Sequence, residues 1–230
     1  MIAWPAGVCY LFDSFYAQER RQLMFIPSVR RSFYFLLVLS LASACSSATA
    51  QTIKGLEGAV SIFGQFTGST SGNGVRDSPT DSLGVLATAR QSLHPWLGWE
   101  VNYSYTRFSE RYTTPLFPVT VQNNMHEVTA AYLLQGPSLP FLGFQPFAAV
   151  GAGGLLFLPT TAGGQRYNQQ WRVPFLYEFG VNYPLLTSHL GLRLQYRGLL
   201  YKAPDYNASL VTTGARRQTS EPSIGAYFRF

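Results

Sequence analysis

The run Glu221-Pro-Ser-Ile-Gly-Ala-Tyr-Phe-Arg-Phe230 separates into two chemistries when read at every second residue. Pro222, Ile224, Ala226, Phe228 and Phe230 form one set, and Glu221, Ser223, Gly225, Tyr227 and Arg229 the other. An extended chain points successive side chains to opposite faces. One face of this strand is therefore apolar, and the other is small or charged.

Seven segments upstream carry the same alternation. Leu56–Phe66 sets Val60, Ile62 and Phe66 against Glu57, Ser61 and Gln65; about Leu83–Gln91 sets Leu83, Val85 and Ala87 against Thr88 and Arg90. Leu97–Thr106 is the clearest, with Leu97, Trp99, Val101, Tyr103 and Tyr105 opposite Gly98, Glu100, Asn102, Ser104 and Thr106. His126–Leu134 opposes Val128, Ala130 and Tyr132 to Glu127, Thr129 and Ala131, whereas about Phe144–Leu156 is a Gly/Ala-rich run whose face the alternation leaves open. Trp171–Tyr183 places Trp171, Val173, Phe175 and Phe179 opposite Arg172 and Glu178, and Leu190–Leu200 places Leu190, Leu192, Leu194 and Tyr196 opposite Arg193, Gln195 and Arg197.

The charges decide which face meets which medium. Glu57, Arg90, Glu100, Glu127, Arg172, Glu178, Arg193, Arg197 and Arg229 all lie opposite the bulky apolar set. On a lipid-facing wall a mid-plane Arg costs about 2–4 kcal/mol, so these side chains belong inside, where they can neutralise one another. An open sheet in lipid would strand backbone groups at its edges, so the sheet must close. The sequence predicts an all-β protein: an eight-stranded antiparallel up-and-down transmembrane β-barrel, preceded by a cleavable signal peptide. Eight strands leave an interior that side chains fill, which argues against a general water-filled pore. A soluble barrel with an apolar cavity is excluded by the same charges, and by an outer wall of Leu, Trp, Tyr and Phe that would aggregate in water.

Composition and connections agree. Only 12% of residues are charged and 15% are aromatic, against about 25% charged in ordinary soluble domains. Long connections (67–82, 108–125, 157–170 and 201–220) alternate with short ones (92–96, 135–143 and 184–189). That is the pattern of bacterial outer-membrane barrels, with long loops outside and short turns in the periplasm. Both termini of the barrel are thus expected on the periplasmic side. Residues 51–230 carry 13 Lys/Arg and 9 Asp/Glu, a net of +4 with no basic run, so no nucleic-acid partner is expected.

Near the start of the chain, Arg30-Arg31 precede the apolar run 32–42, and Ala48-Thr49-Ala50 precede Gln51. A positive stretch, a short apolar core and an A-x-A site make a secretory signal, predicted over 24–50 with cleavage between Ala50 and Gln51. Residues 1–23 then read as a non-native upstream extension from a mis-assigned start, and 51–230 as the barrel domain. Cys45 follows Ala42-Ser43-Ala44, which loosely resembles a lipidation box whose usual Leu lies one place early, at Leu41.

The runs Gln145-Pro-Phe-Ala-Ala-Val-Gly-Ala-Gly-Gly154 and Phe179-Gly-Val-Asn-Tyr183, together with the terminal Ser223–Phe230, resemble the small outer-membrane β-barrel families, namely the OmpA-type transmembrane domain and the OmpX- and OmpW-like porin relatives. The likeness is one of pattern over about 56–230. It implies that Ile224, Phe228 and Phe230 form the signal read by the barrel-assembly machinery. It also implies an outer-membrane location in a Gram-negative envelope, contact with outer-membrane lipid and lipopolysaccharide, and a monomeric state. With the chain ending on the barrel, the peptidoglycan tethering of larger OmpA proteins is not expected.

Candidate chemistry is sparse. His94, His126 and His189 share no ligand spacing, and His126 and Glu127 point to opposite faces, so neither a metal nor another cofactor is expected. The lipid A deacylase and palmitoyltransferase barrels are the relevant enzymes. The His-x-Ser pair of the deacylase does not occur here, because Val128 stands two places after His126. A nucleophile, its base and an orienting acid must lie within reach of one another, and no such set is evident. The interior Glu/Arg set reads first as a salt-bridge network that satisfies a polar core, and second as a gate in which Arg172, Arg193, Arg197 and Glu178 line a constriction. Trp96, Trp99, Tyr103, Tyr132, Trp171, Tyr177, Tyr183 and Tyr196 read as an interfacial belt. Arg76, Arg111, Arg216 and Arg217 are loop charges able to meet lipopolysaccharide phosphates. The expected role is non-enzymatic, structural or adhesion-like. The alternatives are a narrow porin-like channel for small or hydrophobic solutes and, less favoured, a lipid A-modifying barrel.

Overall fold

The structure, a computed structural model, describes residues 55–115, 117–139, 143–160, 167–187, 189–208 and 211–230. The signal segment, Cys45 and the cleavage residues Ala48, Ala50 and Gln51 lie outside the described residues. The strands are β1 (Leu56–Thr67), β2 (Thr70–Gly72), β3 (Val75–Pro79), β4 (Ser82–His94), β5 (Leu97–Thr113) and β6 (Pro118–Gln135). They continue with β7 (Gln145–Pro159), β8 (Gln170–Arg172), β9 (Phe175–Thr187), β10 (Leu190–Lys202) and β11 (Arg216–Arg229).

Eight of these form a closed antiparallel ring, β1-β4-β5-β6-β7-β9-β10-β11, in which each strand pairs with its neighbour in this order. Closure is made by the first and last strands, from Glu57 opposite Arg229 to Thr67 opposite Thr219. Every ring strand thus has a partner on both sides, as a hydrocarbon surround demands. The open face of the Gly/Ala-rich strand is settled by β7: Phe147, Ala149, Leu155 and Phe157 are buried inside, and Val150 faces out.

The outer wall carries Val60, Ile62, Val85, Val101, Val128, Phe179, Leu194 and Ile224, all exposed on an otherwise unpartnered surface. Ile62 is 62% exposed and Leu83 is 81% exposed. A continuous exposed apolar belt of this kind is tenable only against lipid. The barrel is therefore a transmembrane one. Trp96, Trp99, Tyr103, Tyr132, Trp171 and Tyr183 project from the same wall, and Tyr177 and Tyr196 are half-buried on it.

The strands are longer than the alternation predicted. A transmembrane strand needs about 9–11 residues, yet β5 has 17 and β6 has 18. The segment expected as an 18-residue loop, 108–125, is mostly strand, with Thr113 paired to Pro118. The reason is a reversal of polarity at the edge of the belt. Up to Tyr103 and Val128 the outward residues are apolar. Beyond them Arg107, Arg111 and Thr120 face out while Phe108, Tyr112, Val119 and Val121 are buried. Water has replaced lipid outside, so the protruding sheet must have its apolar side inward.

The other long connections are also partly strand. Within 67–82, β2 and β3 form a hairpin on Asn73 (φ 52°) and Gly74 (φ 73°). Two positive φ values in a two-residue loop are the twist-matched turn that Asn-Gly favours. β3 then extends the sheet on β5, with Arg76 opposite Thr113. β11 begins at Arg216, five residues earlier than the alternation in 221–230 indicated. The sixth predicted strand is broken between β8 and β9 at Val173-Pro174, because proline cannot donate to the ladder. At Gly198 the ring of Tyr177 on the neighbouring strand occupies the space a Cβ would need.

Ile62→Arg is expected to destabilise the barrel by about 2–4 kcal/mol and Ile62→Leu by less than about 1.5 kcal/mol, measured by urea unfolding from lipid bilayers. Equal effects of the two would show that Ile62 does not face hydrocarbon.

Candidate functional site

The inward residues of the ring strands stack into one charged column. At the end bearing the short turns, the Glu57 carboxylate accepts from Arg193 on one oxygen and from Arg229 Nε at 2.8 Å on the other. Arg193 Nε also donates to Asn182 Oδ1 at 2.9 Å. The next level is Arg90, whose Nε meets Glu100 Oε2 at 2.6 Å and whose Nη2 meets Glu178 Oε1 at 2.7 Å. Phe147 is packed between the two levels, its ring centroid 3.9 Å from the Arg90 guanidinium carbon and 5.4 Å from that of Arg193.

Arg197 forms the third level and binds three carboxylates. It pairs with Glu127, with Glu221 Oε2 at 2.8 Å and with Glu178 Oε2 at 3.4 Å, so Glu178 links the second and third levels. Glu127 is further held by the Ser104 hydroxyl at 2.8 Å and by that of Thr129 at 3.1 Å. Arg197 and its three partners are all fully or almost fully buried. Arg217 forms the fourth level with Asp77 and Glu110, inside the protruding sheet. Tyr206 also donates to Glu110, and Asn123 Nδ2 donates to Glu110 at 2.9 Å and to the Tyr206 hydroxyl at 2.7 Å. Around this level Phe108, Tyr112, Val121, Met125, Phe157, Leu199, Tyr201 and Val211 pack into an apolar core.

Of the nine residues expected in the interior, eight enter the column: Glu57, Arg90, Glu100, Glu127, Glu178, Arg193, Arg197 and Arg229. Arg172 does not. It sits on β8, above the break at Pro174, and its Nη2 meets Asp205 Oδ2 at 2.9 Å in the 203–215 connection. A constriction containing Arg172 together with Arg193 and Arg197 is therefore not formed. Arg217, expected as a loop charge, points inward, whereas Arg76, Arg111 and Arg216 face outward. The buried charges outside the expected nine are Asp77, Glu110, Arg217 and Glu221, the last of which stands on the charged face of the terminal strand. Glu221 and Arg217 share the inward parity of Ser223 and Tyr227, and Glu110 shares that of Glu100, so the parity was there to follow. Asp77 depends on the Asn73-Gly74 hairpin, and no strand alternation announces it.

His126 faces outward at the belt's edge, its Nδ1 2.9 Å from the Tyr103 hydroxyl and its ring 5.1 Å from that of Tyr105. Glu127 lies on the other side of the wall with Arg197. Among the described residues no group of three metal-ligating side chains converges. At the short-turn mouth a cavity of about 390 Å³ is lined by Glu57, Arg90, Gln135, Gln145, His189 and Arg229. On the outer wall beside that mouth, Ile224, Phe228 and Phe230 share one exposed face, with the Phe228 and Phe230 rings 5.0 Å apart.

A closed, side-chain-filled transmembrane barrel is the class these features define. In solved structures the chain is similar to Neisserial surface protein A, with a TM-score of 0.53 and 14% identity over 77% of this chain and 98% of that one. It is also similar to the attachment invasion locus protein Ail of Yersinia pestis (TM-score 0.43, 15% identity, 77% and 99% covered). The N-terminal β-barrel domain of Pseudomonas aeruginosa OprF gives a TM-score of 0.44 at 13% identity, with 76% and 97% covered. At these identities the likeness is one of fold, and it is the small outer-membrane barrel fold that the resemblance of the runs 145–154, 179–183 and 223–230 implied. No family model and no curated protein matches the chain in sequence.

Arg197→Ala is expected to cost about 3–5 kcal/mol in urea unfolding, because three buried carboxylates lose their common partner. Arg197→Met combined with Glu127→Gln and Glu221→Gln should recover part of that loss. A triple variant no more stable than Arg197→Ala would show that the column is not held by charge pairing.

The 203–215 connection also holds a titratable carboxyl, Asp205. Its burial alone would raise the carboxyl pKa, but hydrogen bonds from the Gln170 amide and the Asn207 backbone N–H, with the Arg172 charge, hold it below the usual value. A lowered folded pKa stabilises above the unfolded value and is lost as pH falls through the folded one. Protease nicking within 203–215 should accelerate as pH is lowered below the ordinary carboxylate range. Asp205→Asn should nick at one pH-independent rate.

Proposed function

We propose that this chain is a non-enzymatic, monomeric protein of the Gram-negative outer membrane with a structural or surface-interaction, adhesion-like role. In this reading the short turns and both barrel ends lie in the periplasm, and the protruding sheet of β2, β3, β5 and β6 stands outside the cell. The single observation that carries it is the lumen: four levels of ion pairs and an apolar core occupy the interior along its length. A barrel so filled has its rigid protruding sheet to present, and no open path to offer.

Non-enzymatic is part of the reading because His126, the histidine adjacent to an acid in sequence, lies across the wall from Glu127 and contacts Tyr103 and Tyr105 instead. Ile224, Phe228 and Phe230, in line on one exposed face, are what the barrel-assembly machinery would bind. The second reading, a narrow porin-like channel, is favoured by one feature. The charged column opens at the short-turn mouth, where Arg229 is partly exposed. The far end is plugged by Phe108, Tyr112, Phe157 and Tyr201, which puts that reading second.

An epitope inserted between Asn73 and Gly74 should be labelled on intact cells, and the purified protein should give no discrete conductance steps in planar bilayers. Labelling only after permeabilisation would reverse the orientation. Steps in the wild type that Arg197→Ala alters would replace the closed-barrel reading with a gate.

A further inference from the structure

Charge is sorted across the wall. Among the described residues seven carboxylates (Glu57, Asp77, Glu100, Glu110, Glu127, Glu178 and Glu221) are buried inside with four arginines, Arg229 lies partly exposed at the short-turn mouth, and only Asp81 and Asp205 are not buried. Arg172 lies opposite the inward Leu155 and pairs with Asp205, and five cations face outward: Arg76, Arg107, Arg111, Lys202 and Arg216. Two of these, Lys202 on β10 and Arg216 on β11, are directly opposite in the register and both face outward. Like charges in that position repel and weaken a strand pair. Neither makes an ion pair among the described residues, so the repulsion is relieved by nothing in the sheet.

The same two side chains head a groove on the outer wall. The groove of about 500 Å³ is floored by Val173, Pro174, Phe175 and Leu200 and bounded at its upper end by Lys202 and Arg216. A second groove, of about 760 Å³, runs over Ala130, Val150 and Ala152 between Trp99, Tyr132 and Phe175. The two share Ala152 and Phe175, so they form one furrow, apolar along its length and cationic at one end. Each volume lies within the ~300–1,000 Å³ of ordinary ligand sites. The furrow is made by the small residues of the Gly/Ala-rich strand β7, set against aromatic walls on β5, β6 and β9.

We propose that this furrow binds one phosphorylated, multiply acylated lipid, with a phosphate seated between Lys202 and Arg216 and an acyl chain lying along Leu200, Phe175, Ala152 and Ala130. Bulk lipid chains slide over a smooth wall. Here the facing cations fix the headgroup and the aromatic walls fix the chain. An anion between Lys202 and Arg216 removes the repulsion that the bare strand pair carries. The cations stand at the edge of the belt, one outward position beyond Leu200, where lipid phosphates lie. The inference rests on the proposed orientation, which puts that edge in the outer leaflet.

The test uses full-length barrel in detergent micelles and diphosphoryl lipid A as the probe, read by native mass spectrometry. One lipid should be retained per barrel. Each of Lys202→Gln and Arg216→Gln should weaken retention about fivefold, the effect of one cation near an anionic lipid surface. Ala152→Phe, which fills the furrow, should weaken retention about tenfold while the heat-modifiable gel band stays unchanged. If that variant does not fold, Leu200→Ala takes its place with the same direction of effect. Retention unchanged in the Lys202→Gln/Arg216→Gln double variant, or equal retention of the dephosphorylated lipid, would overturn the proposal. So would competition by inorganic phosphate at millimolar concentration, which would assign the cations to a free anion. Surface labelling at Asn73 and the absence of conductance do not depend on this site, so its failure would leave the reading of the barrel standing.

Discussion

Hydrocarbon offers nothing to a peptide group or a charge, and the whole molecule follows from that constraint. Every ring strand needs two partners, so β1 must find β11 although they lie at opposite ends of the domain. Every charge within the belt must point inward, so five carboxylates and four guanidinium groups share one narrow interior there. Once gathered there they must pair, because an isolated buried charge costs several kcal/mol. Arg197, which answers to Glu127, Glu178 and Glu221 from three other strands, is where this pairing ties the ring together from within.

Where the constraint stops, the pattern turns over. Above Tyr103 and Val128 the medium outside is water, and β5 and β6 continue with their apolar residues inward. The result is two cores stacked end to end: a polar one where the outside is lipid, and a largely apolar one where the outside is water. Arg217, Asp77 and Glu110 carry the charged column up into the second core, so the protruding sheet is anchored to the barrel by ion pairs as well as by packing. A surface built this way is stiff, which suits recognition by shape. It also leaves the lumen closed at its far end.

The inward traffic of acids has an outward counterpart. With most carboxylates taken inside, the rim above the belt is left with five outward cations and Asp81 among the described residues, besides the Arg172–Asp205 pair. A net positive collar beside an apolar wall is complementary to a phosphorylated lipid surface, quite apart from any single groove.

Much of this was legible in the chain itself, because period-two alternation with all nine strand charges on one parity admits a single arrangement in a membrane. Strand number, antiparallel order, the lipid face and the inward placement of Glu57, Arg90, Glu100, Glu127, Glu178, Arg193, Arg197 and Arg229 need no coordinates. The extent of β5 and β6 is hidden from an alternation of one sign, because beyond the belt the sign reverses. The face of β7 was hidden because Gly and Ala belong equally to either side. Only the tertiary structure decided which inward charges meet, since partners such as Arg193 and Glu57, 136 residues apart, are brought level by strand stagger rather than by spacing. It also removed Arg172 from the column, through the break at Pro174, and added Arg217, Asp77, Glu110 and Glu221. Parity tells each residue which side of the wall it is on; height along the barrel, and hence every partner, is set by how the ring closes.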